Sequence, residues 1–228
     1  SFEDGIFIDE AIYYNAVSLL EIGDTLSAIS YYEKVFTGSL PSSFKENALT
    51  FLSRFYYDIS DYEQSNRCYS ALLSFVSSNS IKREAITRLM IGYEQISSLE
   101  ALIYAQQVTE FERLDDWLLS RAYIILARNE FVSGNYAKSR NTFNKVANLS
   151  VDDEEAEAIY YLAYLSYLDD SLSLSEQLIF KLARNYNNDR FIAEGFLLLS
   201  DIYLEQDKVF QAKATLESII ENYDGEDI

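Results

Sequence analysis

Hydrophobic residues along this chain recur at helical spacing, in paired segments that are separated by short polar turns. The stretch LARNEFVSGNYAKSRNTFNKV (126–146) is a clear example, since one apolar run ends at a Gly-Asn turn and a second run follows it. Gly and Asn are residues that favour helix ends and turns. The pattern therefore predicts two antiparallel helices joined by a tight turn.

The same pair of segments recurs along the whole chain. A small residue begins the packed face of each second helix, at intervals of 37, 36, 38, 36 and 37 residues. These positions are Ala28, Ser65, Ala101, Ser139, Ser175 and Ala212. Twelve residues earlier the chain has a small residue in five copies of six, and seven residues later it has an apolar residue in all six. Small residues on both helices predict a close crossing, so we expect Ala127 to face Ser139.

Six such copies predict an all-α solenoid of helix-turn-helix repeats that occupies residues 1–228 as a single domain. The first helix of each repeat is called helix A here, and the second helix B. The approximate repeat boundaries are 9–38, 43–77, 80–112, 115–148, 152–186 and 189–224. The third repeat fits least well, because it has Leu89 where the others have a small residue and Ala105 where the others have a large one.

This pattern resembles the tetratricopeptide repeat (TPR) family. The similarity is clearest over residues 126–146 and over LLSDIYLEQDKVFQAKATLESII (198–220). The period of 36–38 residues is longer than the family's period of about 34. The resemblance implies a right-handed superhelix whose A helices line a concave groove, and it implies a groove that binds another protein or a peptide segment.

The last repeat carries a second resemblance. The segment FQAKATLESIIENYDGEDI (210–228) is similar to repeats of long envelope-associated TPR proteins of Bacteroidetes-type bacteria. That similarity implies a periplasmic or cell-envelope location, with the cytoplasm as the alternative. The same segment carries Leu216, Ile219, Ile220 and Tyr223 with no polar helix after them. We therefore expect that the natural chain continues, or that another molecule or a second copy of this chain covers these residues.

The composition argues against several classes of function. The formal net charge of −19 argues against binding to nucleic acid or to anionic membranes. The longest apolar run, AIYYLAYLSYL (158–168), is too short and too rich in tyrosine to span a bilayer. The chain has no histidine and a single cysteine, Cys68, which leaves that thiol without the usual activating base. These features predict a protein that is not an enzyme and that requires neither a metal ion nor a cofactor.

The repeat register selects the A-helix residues that would face the groove of a TPR protein. The candidate binding residues are Arg54, Tyr57, Arg83, Tyr93, Arg121, Arg128, Tyr160, Tyr164 and Tyr167. The register also places Ile86, Met90, Leu197, Asp201 and Leu204 on this surface. Arginine and tyrosine together suggest a basic, aromatic groove that holds a partner segment rich in carboxylates.

Two alternatives remain open from the sequence. The arginines are equally suited to pairing with neighbouring glutamates, and the tyrosines to packing between repeats. The chain would then be a structural spacer or an oligomerisation module of a larger envelope protein, with nothing bound in the groove. A hydrolase or a glycan-binding domain that uses the tyrosines and carboxylates is a third and more distant alternative.

Overall fold

The computed structural model of this protein describes residues 4–38, 42–149, 152–186 and 189–222. These residues form twelve α-helices and contain no β-strand. The helices are α1 (Asp4–Glu21), α2 (Thr25–Thr37), α3 (Ser42–Asp58), α4 (Tyr62–Leu73), α5 (Asn79–Gln95), α6 (Ala101–Thr109), α7 (Asp116–Val132), α8 (Tyr136–Ala147), α9 (Asp152–Leu168), α10 (Leu172–Asn185), α11 (Asp189–Glu205) and α12 (Val209–Asn222). Odd-numbered helices are the A helices and even-numbered helices are the B helices. The predicted all-α fold of about six helical hairpins is confirmed.

The chain divides into two compact units, Ser1–Val108 and Thr109–Ile228. In the first unit, a continuous apolar core runs from Ala16 on α1 to Leu89 on α5. In the second unit, three neighbouring clusters fill the space between α7 and α11, with Phe143, Ile159 and Ile202 fully or almost fully buried in them. The prediction that all six repeats form one continuous domain stays a prediction.

The small residues within a repeat meet across the two helices of each hairpin. The hydroxyl of Ser139 on α8 donates a hydrogen bond to the carbonyl oxygen of Ala127 on α7, at 3.1 Å. The same bond joins Ser65 to Ser53 at 3.0 Å and Ser175 to Ala163 at 2.8 Å. All three bonds span twelve residues, which is the spacing between the two columns of small residues. The predicted contact between Ala127 and Ser139 is therefore confirmed.

Each turn from helix A to helix B contains one residue in the left-handed backbone region. These residues are Gly23, Ser60, Ser97, Gly134, Asp170 and Asp207, with φ between 55° and 83°. At Gly134, the backbone N–H bonds to the carbonyl of Phe131, and the next N–H bonds to the carbonyl of Glu130. This pair of bonds is the Schellman motif, which ends an α-helix and reverses the chain. The six turns share it, so the hairpin geometry repeats although only two of the six residues are glycine.

The B helix of the sixth repeat differs from the others in its exposure. Leu216 is 38% exposed and Ile220 is 80% exposed, whereas Phe143, which is equivalent to Leu216 in the fourth repeat, is completely buried. In the earlier repeats of this unit the following A helix covers these positions. Tyr223, which belongs to the same predicted apolar face, lies outside the described residues. Within the described chain, no helix is long and apolar enough to cross a membrane.

Candidate functional site

In the first unit, Arg54 is held by an ion pair between successive A helices. Its Nε and Nη2 atoms donate to Oε1 and Oε2 of Glu84 on α5, each at 2.6 Å. The Tyr69 hydroxyl lies 3.1 Å from the same Oε1 atom. The hydrogen bonds from Arg54 lower the pKa of the Glu84 carboxyl. The guanidinium that the sequence suggested for a ligand therefore already binds a carboxylate of this chain.

The candidate tyrosines of the first unit make ring contacts of their own. The guanidinium of Arg88 on α5 lies 4.1 Å from the ring centroid of Tyr57 on α3. Tyr93 on α5 stacks on Tyr104 of α6, with 5.6 Å between centroids and 5° between planes. Arg83 is half-buried on α5 and takes part in an interaction of its own. Arg88 could not be recognised from the repeat pattern, because in the other repeats the equivalent position carries an apolar residue or an amide.

The Arg54–Glu84 pair gives a testable pH dependence. Because Arg54 lowers the pKa of folded Glu84, the pair stabilises the fold above the unfolded pKa of a glutamate and loses this effect as the pH falls through the folded pKa. We expect Arg54→Met to lower stability by about 0.5–1 kcal/mol at neutral pH, since the pair is partly exposed. Urea unfolding at a series of pH values should show this difference shrinking below about pH 4.

Arg67→Met is a matched control for this experiment. Arg67 contacts Gln64 and the ring of Phe36 and forms no ion pair with a carboxylate among the described residues. The stability difference between Arg67→Met and the wild type should therefore stay constant as the pH falls. A constant stability difference between Arg54→Met and the wild type, from neutral pH to pH 3, would contradict the assignment.

In the second unit, the two candidate arginines on α7 also pair with glutamates of the next A helix. Nε and Nη2 of Arg128 donate to the two oxygens of Glu157, at 2.5 and 2.6 Å. Nη1 of Arg121 lies 3.4 Å from Oε1 of Glu154. Glu157 is buried, so Arg128 supplies the counterion that makes its burial tolerable. These pairs join α7 to α9 and neutralise both arginines.

The predicted tyrosine stripe lies on α9 and contacts both neighbouring A helices. Tyr164 meets Phe131 of α7 edge to face, with 5.6 Å between ring centroids. Tyr160 meets Phe191 of α11 at 5.7 Å. The Tyr167 hydroxyl hydrogen-bonds to Glu205 at the end of α11, and this bond raises the pKa of Tyr167 to about 12. The three side chains are therefore fixed between repeats and remain half-exposed.

The last A helix, α11, carries two exposed leucines and two carboxylates that interact with Tyr167. Leu197 and Leu204 are 42% and 50% exposed, although they are large apolar residues. Asp201 lies between them in sequence and is exposed. We call the surface formed by Tyr160, Tyr164, Tyr167, Leu197, Asp201, Leu204 and Glu205 the α9–α11 face.

The contacts within each unit correspond to the alternative in which arginines pair with glutamates and tyrosines pack between repeats. The placement of Ile86 and Met90 on the groove surface is wrong, because both side chains are buried. These two residues belong to the third repeat, where the sequence departs most from the repeat pattern. The prediction that the nine candidate residues line one groove stays a prediction.

Cys68 lies on α4 beside a cavity of about 310 Å³ that is lined by residues of α2, α3 and α4. Burial raises the pKa of the Cys68 thiol to about 11. The side chain is therefore a protonated thiol at neutral pH, which is a poor nucleophile. The side chain is almost completely buried and belongs to the apolar core of the first unit.

The last repeat matches a known repeat family. The family model described as tetratricopeptide repeat matches residues 194–225, which cover most of α11 and all of α12. No curated protein sequence matches this chain. The match confirms the tetratricopeptide resemblance for the sixth repeat.

Solved structures share the fold across most of the chain. A structure of pilF from Pseudomonas aeruginosa is 16% identical, with a TM-score of 0.58 over 96% of this chain and 93% of that chain. MamA from Desulfovibrio magneticus RS-1 is 13% identical, with a TM-score of 0.59 over 81% of this chain and 98% of that chain. YrrB, described as a TPR protein with an unusual peptide-binding site, is 15% identical, with a TM-score of 0.52 over 89% of this chain and 90% of that chain. The chain thus shares the fold of these structures, which include a TPR protein.

Proposed function

We propose that this protein is a non-enzymatic scaffold that binds a protein or peptide segment on the exposed face of its A helices. The observation that carries this proposal is the exposure of Leu197 and Leu204 on α11, the helix whose Asp201 and Glu205 interact with Tyr167. Exposed apolar side chains that are grouped on one surface and bordered by polar groups are typical of interaction sites. The peptide-binding site named for YrrB adds support from a protein of the same fold.

The α9–α11 face is built so that binding requires little ordering. Tyr167 is fixed by its hydrogen bond to Glu205, and Tyr164 by its contacts with Phe131 and Tyr167. Aromatic side chains that are already held in place lose little conformational entropy when a partner docks on them. Tyrosine also offers both an apolar ring and a polar hydroxyl, which is why it is frequent in binding surfaces.

A structural spacer or oligomerisation module is the second candidate function. Two observations favour it: the bidentate Arg54–Glu84 and Arg128–Glu157 pairs satisfy the A-helix arginines within the chain, and Phe210 and Ile220 are largely exposed on α12. In that function α12 would pack against a further helix, and the α9–α11 face would have no ligand.

A random-peptide display library, selected on the whole chain, tests the proposal. We expect the library to yield peptides that bind the wild type and lose binding to a Leu197→Ser/Leu204→Ser variant. The matched control is Leu174→Ser/Phe180→Ser, which removes two exposed apolar side chains from α10 instead. Circular dichroism checks that both variants remain helical. Peptides that bind all three proteins equally, or no enriched peptides at all, would favour the spacer.

The location of the protein is part of the proposal. The resemblance of the last repeat to envelope-associated TPR repeats supports a periplasmic or cell-envelope location, and the cytoplasm is the alternative. Fractionation of native cells into periplasmic, membrane and cytoplasmic extracts, followed by immunoblotting, distinguishes the two.

A further inference from the structure

We infer that the α9–α11 face selects protein segments in which a lysine or arginine lies between two apolar side chains. This inference rests on the proposed function and specifies its partner. The partner charge inferred here is opposite to the one expected from the sequence. The arginines suggested an acidic partner, whereas the structure favours a basic one. The reason for the reversal is that the arginines on the A helices of the second unit are paired, whereas two carboxylates on α11 are not.

The three arginines on the A helices of this unit, α7, α9 and α11, are each paired with a glutamate. Three ion pairs, Arg121–Glu154, Arg128–Glu157 and Arg190–Glu194, each combine one positive and one negative charge. Asp201 and Glu205 form no ion pair among the described residues, and Glu205 accepts a hydrogen bond from the neutral hydroxyl of Tyr167. Among these eight groups three are positive and five are negative, so Asp201 and Glu205, both on α11, are the two carboxylates of this set without a cationic partner.

Aromatic rings lie next to these two carboxylates. The rings of Tyr164 and Tyr167 are 6.3 Å apart at an angle of 61°, and the negative charges of Glu205 and Asp201 both contribute to the raised pKa of Tyr167. A guanidinium or ammonium group between the rings and the carboxylates would gain from both, since ring faces and carboxylates each attract cations. The chain uses the same chemistry internally where Arg88 lies over Tyr57.

The backbone adds to the negative potential at this place. Glu205 is the last residue of α11, and Tyr167 is next to the last residue of α9. The carboxyl-terminal end of a helix carries a partial negative charge that favours cations within the last turn. The carboxylates, the helix ends and the net charge of −19 thus act in the same direction on an approaching partner.

Leu197 and Leu204 define the spacing of the partner's apolar side chains. They are seven residues apart on one helix, so their α-carbons are separated by about 10 Å along the axis. Asp201 lies between them on the same face, four residues after Leu197 and three before Leu204. A complementary segment therefore has two apolar side chains about 10 Å apart with a cation between them, as on one face of a helix over two turns.

An acidic segment would bind poorly at this face. Bringing a carboxylate beside Asp201 and Glu205 would place like charges together while removing water from both, and such contacts oppose association. The exposed leucines would still attract apolar side chains, so a neutral segment would bind with intermediate affinity.

The peptides selected with the display library test this inference. Among peptides whose binding depends on Leu197 and Leu204, we expect enrichment of lysine and arginine and depletion of aspartate and glutamate. Each selected peptide is then synthesised with its cation or with glutamine, and its affinity for the full chain is measured by fluorescence anisotropy. Replacing the cation should weaken binding about tenfold, as expected for the loss of a charge-assisted contact. Added salt should reduce the difference in affinity between the cationic peptide and its glutamine version.

Two double variants with the same change in net charge complete the test. Asp201→Asn/Glu205→Gln keeps the shape of both side chains and leaves an amide oxygen to accept the Tyr167 hydroxyl. Glu217→Gln/Glu221→Gln removes two exposed carboxylates from α12. The first variant should abolish the advantage of the cationic peptide while the second retains it.

The outcomes separate this inference from the proposed function. If Leu197- and Leu204-dependent peptides are acidic or neutral, the binding function stands and the cation preference is wrong. Equal losses in the two double variants would show general attraction to an acidic protein and would also overturn the inference. If no selected peptide depends on the leucines, the proposed function fails and the inference fails with it.

Discussion

Replacing Ala127 by leucine is expected to destabilise the second unit by about 1–3 kcal/mol. Ala127 is completely buried on α7, and the Ser139 hydroxyl lies 3.1 Å from its carbonyl oxygen. Phe143 and Val146 fill the remaining space and are also completely buried. A leucine side chain would have to push α8 away or force these neighbours out of their rotamers, because protein cores have little spare volume.

Ala137→Leu is the matched control, because Ala137 is exposed on the neighbouring helix α8. The same three added carbon atoms meet solvent there, so we expect a change of less than about 0.5 kcal/mol. Urea unfolding followed by circular dichroism measures both variants. An unfolding midpoint that is the same for Ala127→Leu and for the wild type would contradict the close crossing of α7 and α8.

The fold could be predicted from the sequence because a single repeat dictates it. A small residue at a helix crossing is required by geometry, so Ala127, Ser139 and their equivalents recur at a fixed spacing that the sequence reveals. The turns were less predictable in detail. Ser60 and Asp170 adopt the left-handed conformation that Gly134 adopts in another repeat, and neither residue type demands it. The Schellman hydrogen bonds of the turn impose this conformation, and the residue types at these positions do not reveal those bonds.

The candidate site was predictable only in part, because it depends on contacts between repeats. The register identified Arg54 and Arg128 on their helices, but it did not identify Glu84 and Glu157, which lie 30 and 29 residues further along. Those separations differ from the repeat period, since each arginine reaches a glutamate almost two turns earlier on the next A helix. A pattern that compares equivalent positions cannot reveal a contact between non-equivalent ones. The sequence therefore suggested positive charge where the structure has neutral pairs.

Replacing Gly92 by alanine is the second change for which we expect a large effect. Gly92 lies within α5, and an added Cβ atom would be 2.2 Å from Oδ1 of Asn66 on α4. Asn66 is almost completely buried, so its side chain has little room to move. Alanine normally stabilises a helix by about 1 kcal/mol relative to glycine. Here we expect a net loss of about 1–3 kcal/mol instead, because overpacking outweighs helix propensity.

The sign of this effect should reverse when the obstructing side chain is removed. In an Asn66→Ala background the atoms that meet the new Cβ are absent, so Gly92→Ala should stabilise the protein by about 1 kcal/mol. Gly195→Ala in α11 is the control, since its Cβ would lie at an ordinary 3.4 Å from Ile179 and Leu182. We expect it to be neutral or stabilising in the wild type. A double-mutant cycle by urea unfolding measures the coupling between positions 66 and 92. If Gly92→Ala has the same effect in both backgrounds, Asn66 is not the cause, and the glycine has another role in α5.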